Sequence, residues 1–220
     1  MCRFFLALPA ALVACVLATA AVGEDGPYVR VDAGFSFVEM TDFGSEFDLS
    51  SRSWDESFET PVVGLGFGYR FDRFRGDVTL DRRSEPLDKF LDPRPDLYPR
   101  AAADLITYSV MLNGYWDMAD FDLDLGFVDA MLTPYVGAGF GHAIHRGKIE
   151  AIDVVRDYSY TDEDSTFAFA LHAGVALQVT DRMAIDVSYR YQDMGKFQMV
   201  DIGYTDLRSH DIRGGLRYSF

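Results

Sequence analysis

The chain has 220 residues, 49% hydrophobic, 15% aromatic and 25% charged, which suits one domain. Lys plus Arg is 20 and Asp plus Glu is 35, a formal charge of −15 that excludes the clustered positive charge nucleic-acid binding needs. The 18 Phe and 12 Tyr exclude a solvated tail, and 19 Gly disfavour long packed helices.

The N-terminus reads as an address. Arg3 is the only charge before Glu24, and residues 4–22 run FFLALPAALVACVLATAAV, with the small-residue pattern Ala18-Thr19-Ala20. This predicts a secretory signal peptide over residues 1–20, cut after Ala20 or a few residues later, and a mature domain over 21–220. A transmembrane anchor is disfavoured by Pro9 and by the lack of a basic stop-transfer cluster. A lipoprotein box at Leu12-Val13-Ala14-Cys15 would leave an apolar run behind the lipid. Cys2 and Cys15 are the only cysteines, so a mature chain has no thiol.

The rest alternates with period two. From Tyr28 to Val38, Val29, Val31, Ala33, Phe35 and Phe37 share one face, and Arg30, Asp32, Gly34 and Ser36 the other. From Val62 to Phe71, Val63, Leu65, Phe67 and Tyr69 alternate with Gly64, Gly66, Gly68 and Arg70. From Phe74 to Arg82, Val78 and Leu80 alternate with Arg75, Asp77, Thr79 and Asp81. The next segments are Leu105 to Trp116, Tyr135 to Ile144 (with Gly137, Gly139 and Gly141 on one face) and Phe167 to Gln178. Met183 to Gln192 sets Ile185, Val187 and Tyr189 against Asp186, Ser188 and Arg190. The last segment sets Ile212, Leu216, Tyr218 and Phe220 against Asp211, Arg213, Gly215 and Arg217.

Eight segments of about 9–11 residues match strands that cross a bilayer at a tilt. Connectors 39–61, 83–104, 145–166 and 193–210 are long, whereas 72–73 and 179–182 are short. That asymmetry predicts an all-β, eight-stranded antiparallel transmembrane β-barrel, an up-and-down meander with both termini in the periplasm. Connector 117–134 is long where a turn is expected, and Phe121, Leu123 and Leu125 alternate there with Asp120, Asp122 and Asp124. A single ninth strand would break the even count, so it is read as a periplasmic excursion.

In a closed barrel the polar face points inward. The candidate interior network is Arg30, Asp32, Arg70, Arg75, Asp77, Asp186, Arg190, Arg213 and Arg217, six Arg against three Asp, to which Asp81 and Asp211 could add. A barrel of eight strands is only wide enough for side chains, so these charges should pair across strands, with the glycines leaving room for them.

The C-terminal Gly-Leu-Arg-Tyr-Ser-Phe, ending in Tyr218-x-Phe220, resembles the assembly signature of bacterial outer-membrane barrels. Residues 108–117 (YSVMLNGYWD), 134–141 (PYVGAGFG) and 181–191 (DRMAIDVSYRY) are similar to stretches of the small OmpA-like, opacity-type and surface-antigen barrels of Gram-negative bacteria. The resemblance spans nearly all of the mature chain and implies the outer membrane as its location. It implies outer-membrane lipid, lipopolysaccharide and the β-barrel assembly machinery as partners, with Tyr218 and Phe220 as the assembly signal. The family hosts adhesins, pores, anchors and a few lipid-modifying enzymes.

No catalytic, cofactor-binding or metal site is expected. His142 and His145 fall on opposite faces of a strand and read as rim residues; His172 reads as a hydrogen-bonded interior residue. Ser209-His210-Asp211 alternate, so they cannot form a triad by themselves, and no membrane-facing His-x-Ser occurs. Asp120-x-Asp122-x-Asp124 departs from a calcium loop, with Gly126 one place late and Met131 at the twelfth position. Loops 39–61 and 145–166 are acidic, suited to solvation, divalent bridging or a basic partner. Loop 83–104, with Arg82 and Arg83 at its edge, could meet lipopolysaccharide phosphates. The sequence therefore predicts a surface-exposed structural barrel, with a narrow channel as the alternative and a loop-mediated adhesin or binder of a host or surface ligand as the third reading.

Overall fold

The computed structural model describes residues 25–44, 56–86, 100–124, 129–152, 157–199 and 203–220; the expected signal peptide lies outside them. The described residues form nine strands and no helix: β1 (Gly26–Gly44), β2 (Glu56–Phe71), β3 (Phe74–Pro86), β4 (Arg100–Asp117), β5 (Phe121–Asp124), β6 (Asp129–Ile152), β7 (Asp157–Gln178), β8 (Met183–Met199) and β9 (Gly203–Ser219). All pairings are antiparallel between neighbours, β1 pairs with β9, and β4 pairs with β6. Eight strands thus close a ring and leave no free edge. The ninth, β5, pairs only with β6, from Phe121↔Leu132 to Asp124↔Asp129. The 117–134 excursion is therefore an extra hairpin hung from the ring, and the even count survives.

The expected faces hold in the eight ring strands. Val31, Phe35, Leu65, Val78, Leu112, Phe140, Leu171 and Val187 are exposed on the outside, while their strand neighbours are buried or half-buried. A water-soluble protein would not present so continuous an apolar surface; a bilayer requires it. At the end that carries the short turns, Asp72 takes a positive φ of 52°, which a short polar side chain tolerates in a tight hairpin. The start of β1 and the end of β9 lie at this end, and Phe220 N–H donates to the Pro27 carbonyl at 3.1 Å.

The long connectors differ from the expectation. β6 and β7 pair out to Ile152↔Asp157, β8 and β9 out to Met199↔Gly203, and β1 and β2 out to Met40↔Glu56. Most of what reads as loop is continued ladder. Beyond the apolar belt both faces of a strand meet water, so the hydrophobic alternation stops while the backbone pairing does not. From Arg146 to Ile152 the wall projects roughly 20 Å past the belt at the usual rise per residue.

Candidate functional site

The barrel interior holds the chain's chemistry-bearing side chains, and they fall into three tiers. Nearest the short turns, Arg75 pairs with Asp117 at 2.7 Å and lies over the rings of Tyr115 and Tyr135, 5.0 and 4.6 Å from their centroids. The two tyrosines meet edge to face at 5.8 Å. Arg217 and Asp186 are 3.9 Å apart, with Arg217 over the Tyr28 ring. Arg70, at the rim and a quarter exposed, reaches Asp117 at 3.8 Å.

The middle tier is a dense polar network. Arg30 clasps Asp32 through two hydrogen bonds of 2.7 and 3.1 Å and reaches Asp77 at 3.4 Å. Asp77 also accepts from Tyr28 at 2.9 Å and from Asn113 at 2.8 Å, and Asn113 Oδ1 lies 3.2 Å from His172 Nε2. Arg213 pairs with Asp81 at 2.6 Å and approaches Asp32 at 3.9 Å, joining this group to the next. Arg190 bridges Asp81 and Asp211, each at 2.8 Å. Asp211 also takes Arg83 at 2.8 Å and the Ser36 hydroxyl at 2.6 Å. Arg83 in turn donates to Gln192 at 2.9 Å. Counting around the ring, β8 stands opposite β3, so the Arg190–Asp81 pair spans the lumen.

The third tier is apolar. Val38, Met111, Ala143, Ala168, Ala170, Met194 and Leu207 pack together toward the long hairpins, with Phe58 against them. A β-bulge between Asp193 and Lys196, with Gly195 at φ 75°, accompanies the inward placement of Met194 there. This tier was not legible from alternation, because Val38 and Met111 sit on faces read as polar and Met194 and Leu207 fall in the connector read as 193–210.

Every expected network residue lies inside, with Arg70 at the rim. The charge balance is corrected. Arg83 is fully buried rather than part of an outer loop, and Asp117, Asp81 and Asp211 join the interior. Among the described residues six arginines and six aspartates are buried, so the interior is neutral. Only Arg supplies the cations, since a planar fork serves two carboxylates at once, as Arg190 does. The glycines do make room: a Cβ on Gly64 would strike the Arg213 guanidinium and the Asp81 carboxylate, and one on Gly66 would come within 2.8 Å of Arg30.

The histidines are dispersed. His142 faces out and His145 in, where its ring nitrogens lie 3.1 Å from the Thr107 hydroxyl and 3.3 Å from that of Thr166. His210 faces out against Tyr189, Nδ1 to hydroxyl 2.6 Å, whereas Ser209 and Asp211 point inward. Asp120 accepts a hydrogen bond from Thr133 at 2.7 Å, and no cluster of three metal-ligating residues occurs among the described residues.

The model of the outer membrane protein β-barrel domain matches residues 6–220. The chain is 27% identical to the Rickettsia conorii protein named "Putative adhesin RC1281" over 213 residues, covering 89% of this chain and 82% of that one. It is also 27% identical to an uncharacterized Brucella abortus (strain 2308) protein over 252 residues, covering 89% and 85%. The crystal structure of Neisserial surface protein A superposes with a TM-score of 0.54 at 19% identity, covering 89% of this chain and 97% of that one, a likeness of fold. The barrel, its apolar belt and the family match together place the molecule in the bacterial outer membrane, and the chain belongs to the outer membrane protein β-barrel domain family.

Proposed function

We propose that this protein is a closed outer-membrane anchor that carries rigid surface hairpins, and that it conducts no ions. The observation behind the reading is Arg190, fully buried and bonded to Asp81 across the lumen and to Asp211 beside it. Opening a water path means breaking such pairs in a low-dielectric space, at about 3–5 kcal/mol for each buried pair broken. The apolar tier beyond it is a second barrier. In planar bilayers the folded protein should stay silent under applied voltage; steady unitary currents would sink this reading and favour the narrow channel.

Ser209, His210 and Asp211 do not converge, so these three side chains form no triad. A second reading, surface attachment, is favoured by the projecting β6–β7 hairpin and by the name of the Rickettsia relative. Its contacts would be made by the acidic long connectors, through a basic or cation-bridged partner. The assembly machinery would read Tyr218 and Phe220, whose rings pack edge to face at 5.4 Å.

A further inference from the structure

The outer surface is not uniform where the apolar belt ends. On three adjacent strands, Arg82 of β3 stands directly across from Tyr108 of β4, which stands across from Ile144 of β6. One step nearer the belt the same strands carry Leu80, Val110 and His142; one step beyond it they carry Ser84, Ile106 and Arg146. Arg82 and Arg146 are both exposed and outward-facing. The Arg146 guanidinium lies 5.7 Å from the Tyr108 ring centroid, so it bends toward the tyrosine. Two guanidiniums and an aromatic plate are therefore grouped above Leu80 and Val110, both about half exposed on the lipid side. At the corresponding border β1 and β2 carry Glu39 and Glu59, so the grouping is local to one sector.

This border lies at the long-hairpin end, away from the start of β1, the end of β9 and the short turns, and so faces the outer leaflet. The glycolipid of that leaflet carries phosphates on a sugar headgroup at the depth where its acyl chains begin. We propose that Arg82, Tyr108 and Arg146 bind the phosphorylated disaccharide of lipopolysaccharide. Arg offers a planar fork that matches a phosphate through two hydrogen bonds, and it is held beside a low-dielectric surface where the pair is weakly screened. Tyr108 supplies a flat apolar face for a sugar ring and a hydroxyl at its tip. Leu80 and Val110 below would meet the acyl chains. Burial of Arg83 inside the barrel removes it from this surface and leaves Arg82 as the β3 contribution.

The test is native mass spectrometry of the protein purified from outer membranes and exchanged into detergent, titrated with bis-phosphorylated lipid A. Dephosphorylated lipid A and phosphatidylglycerol serve as comparison probes. The variants are Arg82→Glu, Arg146→Glu and their combination. Arg208→Glu is the charge-matched control, on an exposed arginine of β9 outside the sector. Heat-dependent gel mobility reports folding. The double variant should bind lipid A at least about tenfold more weakly, with Arg208→Glu unchanged and dephosphorylated lipid A bound weakly by all forms. Unchanged binding by the double variant overturns the proposal. So does an equal loss in Arg208→Glu, which would mean net charge alone, or equal binding of phosphatidylglycerol, which would mean any anionic lipid. Should a Glu variant fail to fold, Arg82→Gln carries the same comparison. Bilayer silence does not depend on this patch, so the two readings fail separately.

Discussion

At the scale of single residues, the interior is governed by neutrality and by fit. Burying twelve charges inside a space filled by side chains is tolerable because six of each sign are present and most carboxylates see more than one donor. Gly64 shows how tight that fit is, since the Arg213–Asp81 pair occupies the place its side chain would take. Gly64→Ala should lower the denaturation midpoint by the equivalent of about 1–3 kcal/mol, because the pair must separate or the strands shift. Gly114→Ala is the matched case, with nothing within 4 Å of the added carbon, and should be near neutral. Equal midpoints in urea titrations of the two variants would mean that the network yields easily. Residue roles were partly legible: Arg30, Asp77 and Arg190 announce themselves by alternation. Arg83 does not, because it lies at the point where the apolar partner face runs out.

At the scale of strands, length departs most from what the sequence suggests. β6 spans 24 residues and β7 22, about twice what a tilted crossing requires. The excess is backbone-paired hairpin, held by a ladder rather than by side-chain burial. Amide hydrogen exchange should therefore be slow at residues 147–151 and 158–162, well below the rate of an unpaired chain. Exchange there at the free-peptide rate would show that the hairpin does not persist in solution. The extra strand β5 illustrates the opposite limit. Its alternation was visible, yet only its pairing with β6 alone shows that it stands outside the ring.

At the scale of the whole molecule, the barrel is a closed ring of strands with a lipid-facing belt and a projecting rim. Closure depends on β9 meeting β1, a contact between the two ends of the described chain. The final residues therefore matter both for closure and, as proposed above, for recognition during assembly. Deleting Phe220 should leave refolding in detergent nearly intact, since its backbone adds one hydrogen bond, to Pro27. It should lower the amount of barrel reaching the outer membrane in cells several-fold. Fractionation with heat-shifted gel mobility would check this; normal outer-membrane levels would remove Tyr218 and Phe220 from the assembly role.

The sequence by itself determined the number of spanning strands, which face of each meets lipid, and the inward set from Arg30 to Arg217. These are local properties, because a strand turns alternate side chains to opposite sides wherever it is placed. The tertiary structure alone decided which Arg meets which Asp, that Arg83 and Asp117 complete a neutral interior, and that an apolar tier lies beyond the charges. It also decided how far the hairpins extend. The pairs inside the lumen join residues as far apart as Asp81 and Arg213, 132 positions along the chain. No local pattern encodes such a contact; ring closure brings those strands face to face.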